Sequence, residues 1–176
     1  MAIQIGAKPD SGFDNPIGML TDCHRRIEKF IGILCNVVQL AGGRELTEEE
    51  VSAVQKALHY FQHGGETHTS DEEESLFPRL RGKSIPAVES IAQLQSEHRD
   101  ASRLHKSIEQ FYTTWISTGV LSAAGESQLS SETSQLKDLY TKHIHVEETI
   151  VFPFAAQTLD TQTLATIGRE FGLRRK

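Results

Sequence analysis

One pattern occurs twice in this chain, 75 residues apart: His68-x-x-x-Glu72-Glu73 followed by Leu76-Phe77-Pro78, and His143-x-x-x-Glu147-Glu148 followed by Val151-Phe152-Pro153. A histidine and a glutamate four apart lie one above the other on a single helical face, about 6 Å apart along the axis. Both copies sit on apolar helical registers. His143 comes four after Leu139, seven after Leu136 and seven before Ile150, while His68 lies seven after Phe61 and Glu72 four before Leu76. Both copies therefore point inward. An unpaired carboxylate on a buried face costs several kcal/mol or stays protonated, and a multivalent cation is the usual remedy. Two such pairs on two helices can enclose a site for two ions.

The rest of the chain supplies the remaining helices. Asn15-Pro16 offers a cap and a proline at the first helical position, and Ile17, Leu20, Ile27, Ile31, Leu34 and Val38 follow at helical spacing. Ala41-Gly42-Gly43 ends this first helix, and Thr47 with Glu50 forms a capping box that opens a second. Val51, Val54, Leu58 and Phe61 give the second its stripe; Gly64-Gly65 should loosen it, and Pro78 and Gly82 close it. The third is predicted from about Pro86 through Val88, Ile91, Leu94, Ala101, Leu104, Ile108 and Phe111 to about Ser117, with Gly119 as its stop. The fourth carries Leu129, Leu136, Leu139, Ile150 and Val151 as far as Pro153, its start blurred by the Ser, Ala and Gly of residues 122–134. A short fifth helix over about 161–171 would dock through Leu164, Ile167 and Phe171. No segment alternates like a strand between hairpin turns. The prediction is an all-α chain: an up-down-up-down four-helix bundle over 14–176 behind an N-terminal arm, 1–13.

The first and third helices each place one histidine on the apolar stripe, His24 among Leu20, Ile27 and Ile31, and His98 among Ile91, Leu94 and Ala101. Intervals of 44, 30 and 45 residues separate His24, His68, His98 and His143, as antiparallel helices meeting at one level require. The candidate metal set is His24, His68, Glu72, His98, His143 and Glu147. One inward histidine alone is more often a hydrogen-bonded core residue. Six inward donors, duplicated and in register, point to bound ions instead.

This arrangement resembles the hemerythrin-like (HHE cation-binding) family, whose signature is a histidine on helix one, His-x-x-x-Glu on helix two, a histidine on helix three and His-x-x-x-Glu on helix four. The likeness runs from Asn15 to about Ala156 and extends to Glu97-His98 and both Phe-Pro endings. It implies a non-haem di-iron centre of two oxo- or hydroxo-bridged ions. Glu72 and Glu147 would bridge, with His24 and His68 on one iron and His98 and His143 on the other. Manganese or zinc could occupy the same donors. The oxygen-carrying hemerythrins have a further histidine four residues along helix three, where this chain has Ser102. Its loss leaves open positions, which favour chemistry or ligand exchange over reversible oxygen transport. His105, seven after His98, is a candidate fifth ligand or a hydrogen-bond partner within the site.

The resemblance implies a small diatomic or peroxide ligand and a role in oxygen binding, redox sensing or stress response. The alternatives are an enzyme that decomposes peroxide or nitric oxide, iron–sulfur cluster repair, and iron storage or a structural ion. The histidine intervals most resemble the bundle domain of the repair proteins, which usually carry a further N-terminal domain with a cysteine pair; here 23 residues precede His24. A net charge of -6 gives no electrostatic reason to bind nucleic acid or anionic lipid, and nothing indicates a protein partner. The opening residues lack a secretory apolar stretch, and the apolar run over 30–38 is broken by Gly32 and Asn36, so a cytoplasmic protein with no membrane span is expected.

Several residues are expected to stay outside the chemistry. Glu73, Glu74 and Glu148 turn about 100° per residue away from the inward face and read as solvated charge, as do the terminal Arg174, Arg175 and Lys176. His59, His63 and His145 fall off the inward face, and Tyr112 and Trp115 read as packing at the bundle end. Cys23 and Cys35, on one helix, stand roughly 18 Å apart and cannot pair; Cys23 is a helix residue beside His24 with an outside claim to redox sensing. Tyr60 is the aromatic whose hydroxyl has an outside claim to approach the site.

Overall fold

The computed structural model describes residues 10–83 and 85–176, with side chains for all of these but 85–88. Most of the predicted arm, residues 1–9, and the side chains of Pro86 and Val88 lie outside the described residues. The described chain is all-α. Helix α1 is Pro16–Ala41, α2 spans 48–80, α3 is Ile85–Thr118, α4 spans 123–158 and α5 is Thr161–Leu173. Helices α1 and α3 each pack against both α2 and α4, which closes the four long helices into a bundle. No described helix is long and apolar enough to cross a membrane.

Local signals set the helix ends. The Asn15 side chain accepts a hydrogen bond from the Gly18 amide at 3.1 Å, and Gly42, at φ 57°, supplies the left-handed turn that ends α1. The predicted capping box opens α2: the Glu50 amide donates to the Thr47 hydroxyl at 3.2 Å, and the Thr47 amide donates to the Glu50 carboxylate at 2.8 Å. Helix α4 starts earlier and more firmly than its composition suggests. Ser122 caps it, and the burial of Leu129 and Thr133 holds the Ser/Ala/Gly-rich stretch in helical form.

Helices α2 and α4 contain π-helical turns at Phe61–Gly65, Asp71–Leu76 and Glu147–Val151. The first falls where Gly64-Gly65 was expected to loosen the helix. The other two occupy matching places in the repeat, and they correct two expectations. An extra residue in the turn after His143 shifts the helical phase, so Val151 is buried and Ile150, predicted to face inward, is 46% exposed. The same shift accommodates Pro78 and Pro153 directly after the π turns: α2 ends at Leu80, between the Pro78 and Gly82 expected to close it, whereas α4 runs on to Thr158 instead of stopping at Pro153.

The core consists of two apolar clusters. One gathers Ile27, Ile31, Leu34, Val54, Phe61, Ala101, Ile108, Tyr112, Trp115, Leu129 and Leu136; the other gathers Leu20, Leu76, Phe77, Leu80, Ile91, Leu94, Val151, Phe152, Ile167 and Phe171. Tyr112 donates to the Leu34 carbonyl and the Trp115 indole to the Arg44 carbonyl, so both aromatics pack the bundle end as expected. Helix α5 joins the second cluster through Ile167 and Phe171, each worth roughly 1.5–3 kcal/mol when fully buried. A Cβ on Gly168 would strike the Phe13 carbonyl oxygen, so only glycine lets α5 lie this close to the segment before α1.

The basic C-terminus is not simply solvated. Arg174 donates to Asp71 Oδ1 at 3.0 Å and to the Ser75 hydroxyl at 2.9 Å, and Arg175 donates to Asp71 Oδ2 at 2.6 Å. Asp71 is fully buried, so its charge requires these partners.

Candidate metal centre

Each inward His or Glu of the sequence pattern falls in the gap between the two apolar clusters, because on every helix it separates residues of one cluster from residues of the other. His24 lies between Leu20 and Ile27, His98 between Leu94 and Ala101, His68 and Glu72 between Phe61 and Leu76, and His143 and Glu147 between Leu136 and Val151. All six are buried, His98 least so at 8% exposure.

They form two overlapping groups. His24, His68, Glu72 and Glu147 each offer a donor atom within 4.8 Å of the others, and so do Glu72, His98, His143 and Glu147. Both glutamates belong to both groups. Glu72 turns Oε1 to His68 Nε2 at 3.4 Å and Oε2 to His98 Nε2 at 3.3 Å. Glu147 Oε2 stands 3.0 Å from His24 Nε2 and 3.4 Å from His143 Nε2. Each carboxylate thus faces one histidine of either group, a placement suited to bridging two ions.

Protons alone satisfy this layer poorly. Neither oxygen of Glu72 or Glu147, nor His24 Nε2, makes a hydrogen bond of acceptable geometry despite these short distances. His98 Nε2 and His143 Nε2 stand 3.1 Å apart, where two lone pairs repel unless a proton or cation lies between them. Burial, then the neighbouring Glu147, pushes the Glu72 carboxyl well above the usual carboxylate range. Burial opposes ionisation of Glu147 too, but the nearby His143 outweighs it and holds that carboxyl low. Burial pushes His68 down, with His24 adding to the effect; in His143 the Glu147 and Glu97 carboxylates overcome burial and push the imidazole up to about 10. A buried set of four imidazoles and two carboxylates with orphaned oxygens is a donor set that one or two cations would satisfy.

Residues 15–155 match the family model of the hemerythrin HHE cation-binding domain. The chain belongs to that family. An uncharacterized protein of Haemophilus influenzae is 25% identical over 172 residues, covering 93% of this chain and 92% of its own length.

In this HHE protein three of the imidazoles are oriented by carboxylates, two of which, Glu73 and Glu148, were expected to be solvated charge. His24 Nδ1 donates to Glu148 at 2.9 Å, His98 Nδ1 to Glu73 at 2.8 Å and His143 Nδ1 to Glu97 at 2.9 Å. With a carboxylate as acceptor each of these imidazoles keeps a proton on Nδ1, so that a metal ion taking the place of any proton on Nε2 would meet the Nε2 lone pair facing the centre. Glu73 and Glu148 are therefore half-buried partners of the histidines, not solvated charges; Glu148 also pairs with Arg25. The missed signal was the doubled glutamate itself, present in both copies of the repeat. One step along the helix turns Glu73 and Glu148 from the centre to the histidine of the adjoining helix. Glu74 is exposed and pairs with Arg174.

The remaining candidates fall outside the two groups. His105 packs its ring on Phe61 and places Nε2 3.1 Å from the Tyr140 hydroxyl. Tyr60 donates to the Cys23 carbonyl at 3.3 Å. The aromatic beside the centre is instead Tyr140, one turn before His143, its ring edge-on to that imidazole at 6.1 Å. Burial first, then Tyr60, Glu72 and Glu147, pushes its phenol up. Its spacing three before His143 was the available signal. Cys23 is buried and burial raises its thiol, which keeps it protonated and unreactive; neither it nor Cys35 is in a disulfide. His59, His63 and His145 are exposed, as predicted.

Proposed function

We propose that this HHE protein is a non-haem di-iron protein that reacts with or senses oxygen, peroxide or nitric oxide. In this reading His24 and His68 would hold one iron and His98 and His143 the other, with Glu72 and Glu147 placed to serve both. The observation that carries it is that both glutamates are shared by the two donor groups while all four of their oxygens are buried without hydrogen bonds. Imidazole with bridging carboxylate suits iron, with manganese and zinc as competitors. A pair of irons supplies electrons in twos to a small oxidant. The chain's own part is to fix the imidazole tautomers through Glu73, Glu97 and Glu148, to keep bulk water away and to offset part of the charge of the two ions with two carboxylates. A purely structural ion is less well supported, because apolar clusters are complete on both sides of the polar layer.

The test is metal content per chain, by elemental analysis of protein from iron-replete medium, with an absorption spectrum of the same sample. Two irons per chain are expected, with sharp losses in His68→Ala and Glu147→Ala and none in His145→Ala. Equal iron in all three variants sinks the ligand assignment. Turnover with peroxide or nitric oxide would mark an enzyme, and a stable stoichiometric adduct a binder or sensor.

A further inference from the structure

The two donor groups differ in what lies beside them. A cavity of 630 Å³ opens between α2 and α3, and its wall includes His98, Ala101, Ser102, His105 and Tyr140. His98 belongs to the second group. Neither His24 nor His68 lines this cavity. The first group is sealed: His24 is fully buried, its ring stacks on Phe152 at 5.4 Å, and its Nδ1 is covered by Glu148 and Arg25. His98, at 8% exposure against 0–2% for the other five, is where the polar layer meets the cavity.

We propose that exogenous ligands reach the centre from this side, through the α2–α3 cavity, and bind at the His98/His143 position. The proposal rests on the di-iron reading above. The wall identifies the ligand's chemistry. Tyr140, its ring 6.1 Å from that of His143, and His105, hydrogen-bonded to Tyr140 at 3.1 Å, both line the cavity, and their shared hydrogen bond leaves the pair one proton to donate. Burial pushes His105 down to about 4, so the ring is neutral at neutral pH. The volume lies in the small-molecule range and far exceeds the roughly 30 Å³ that one water occupies. The site therefore suits a small anion or a peroxide that accepts a hydrogen bond next to its metal-binding atom, with room for an organic group. Ser102, one turn after His98, is an exposed small residue of the cavity wall, where a bulky side chain would fill space beside His98.

Azide is the probe, added to the iron-loaded full chain, with association followed by its charge-transfer absorption and its position read from a crystal structure of the adduct. Azide is expected on the ion at His98 and His143. Ser102→Trp should slow association by about tenfold or more. Ser52→Trp, in the separate groove between α1 and α2, should leave it unchanged. Azide on the ion at His24 and His68 would overturn the proposal, whatever the variants do, and so would equal rates in the two tryptophan variants. Iron content is measured on the same samples. Chains without iron would overturn the di-iron reading and this inference together, whereas two irons with azide on the wrong side would overturn this inference alone.

Discussion

In α4, the imidazole of His143 is held at Nδ1 by Glu97 from α3, and Tyr140 packs against it from the preceding turn, itself hydrogen-bonded to His105. In α2, the matching His68 makes no hydrogen bond at Nδ1, and support comes from outside, where Arg174 and Arg175 grip the buried Asp71 beside Glu72. The same His-x-x-x-Glu pattern and the same following π turn are thus braced from within in one copy and from a C-terminal helix in the other. The break in symmetry is traceable to single residues. Glu97 precedes His98 on α3, while the residue preceding His24 on α1 is Cys23, which cannot accept a strong hydrogen bond from an imidazole. Repetition of the donors fixes where a centre forms, and the unrepeated neighbours decide how each half is held.

The largest expected effect comes from removing the outer brace. Arg174→Ala with Arg175→Ala leaves the Asp71 carboxylate buried without partners and should cost about 3–5 kcal/mol, read as a shift of the urea unfolding midpoint. Adding Asp71→Ala to that double variant should recover a substantial part. A double variant as stable as the parent would show that α2 needs no bracing from α5.

The inner brace is tested by pH. Burial pushes His105 from its ordinary 6.5 down to about 4. The unfolded chain therefore takes up a proton on this residue before the folded chain does. His105 makes its full contribution above pH 6.5 and loses it as pH falls towards 4. The loss should be about 2–3 kcal/mol, discounted because the ring edge meets the cavity. The measurement is the difference in unfolding free energy between parent and His105→Gln at pH 7, 5.5 and 4. A difference that does not shrink with falling pH would remove His105 from the acid response.

A smaller effect separates the two copies directly. Glu97→Ala frees His143 Nδ1 and should weaken metal affinity by about tenfold, measured by chelator competition. Cys23→Ala, at the matching place on α1, should leave affinity unchanged. Equal losses would mean that the two halves are held alike after all.

The helices and the six donors were legible because apolar periodicity and duplicated spacing are local properties of the chain. Asn15-Pro16, the Thr47/Glu50 box and Gly42 each act within a turn, and each is found where the sequence placed it. What escaped depended on contacts between distant segments or on a change of helical period. Ile150 was misplaced because the Glu147–Val151 π turn breaks the 3.6-residue period on which the inward assignment relied. Arg174 and Arg175 read as a solvated tail because their partner, Asp71, lies about a hundred residues away. Glu73 and Glu148 were dismissed by a rotation argument that is correct for their own helix and silent about the next one, where His98 and His24 wait with Nδ1 protons.

The smallest expected effect serves as the yardstick for the others. Thr47→Ala removes the cap of α2 and should cost about 1 kcal/mol of global stability. Thr47 is 21 residues before His68 on the same helix, a separation of roughly 30 Å at 1.5 Å per residue. Metal affinity should therefore stay at the parent value. If it does, the drop in Glu97→Ala reports on the orientation of His143 and not on a generally loosened bundle. If affinity instead falls in step with the lost kilocalorie, metal binding follows global stability. The contrast between an inner and an outer brace would then reduce to a difference in how much each one stabilises the fold.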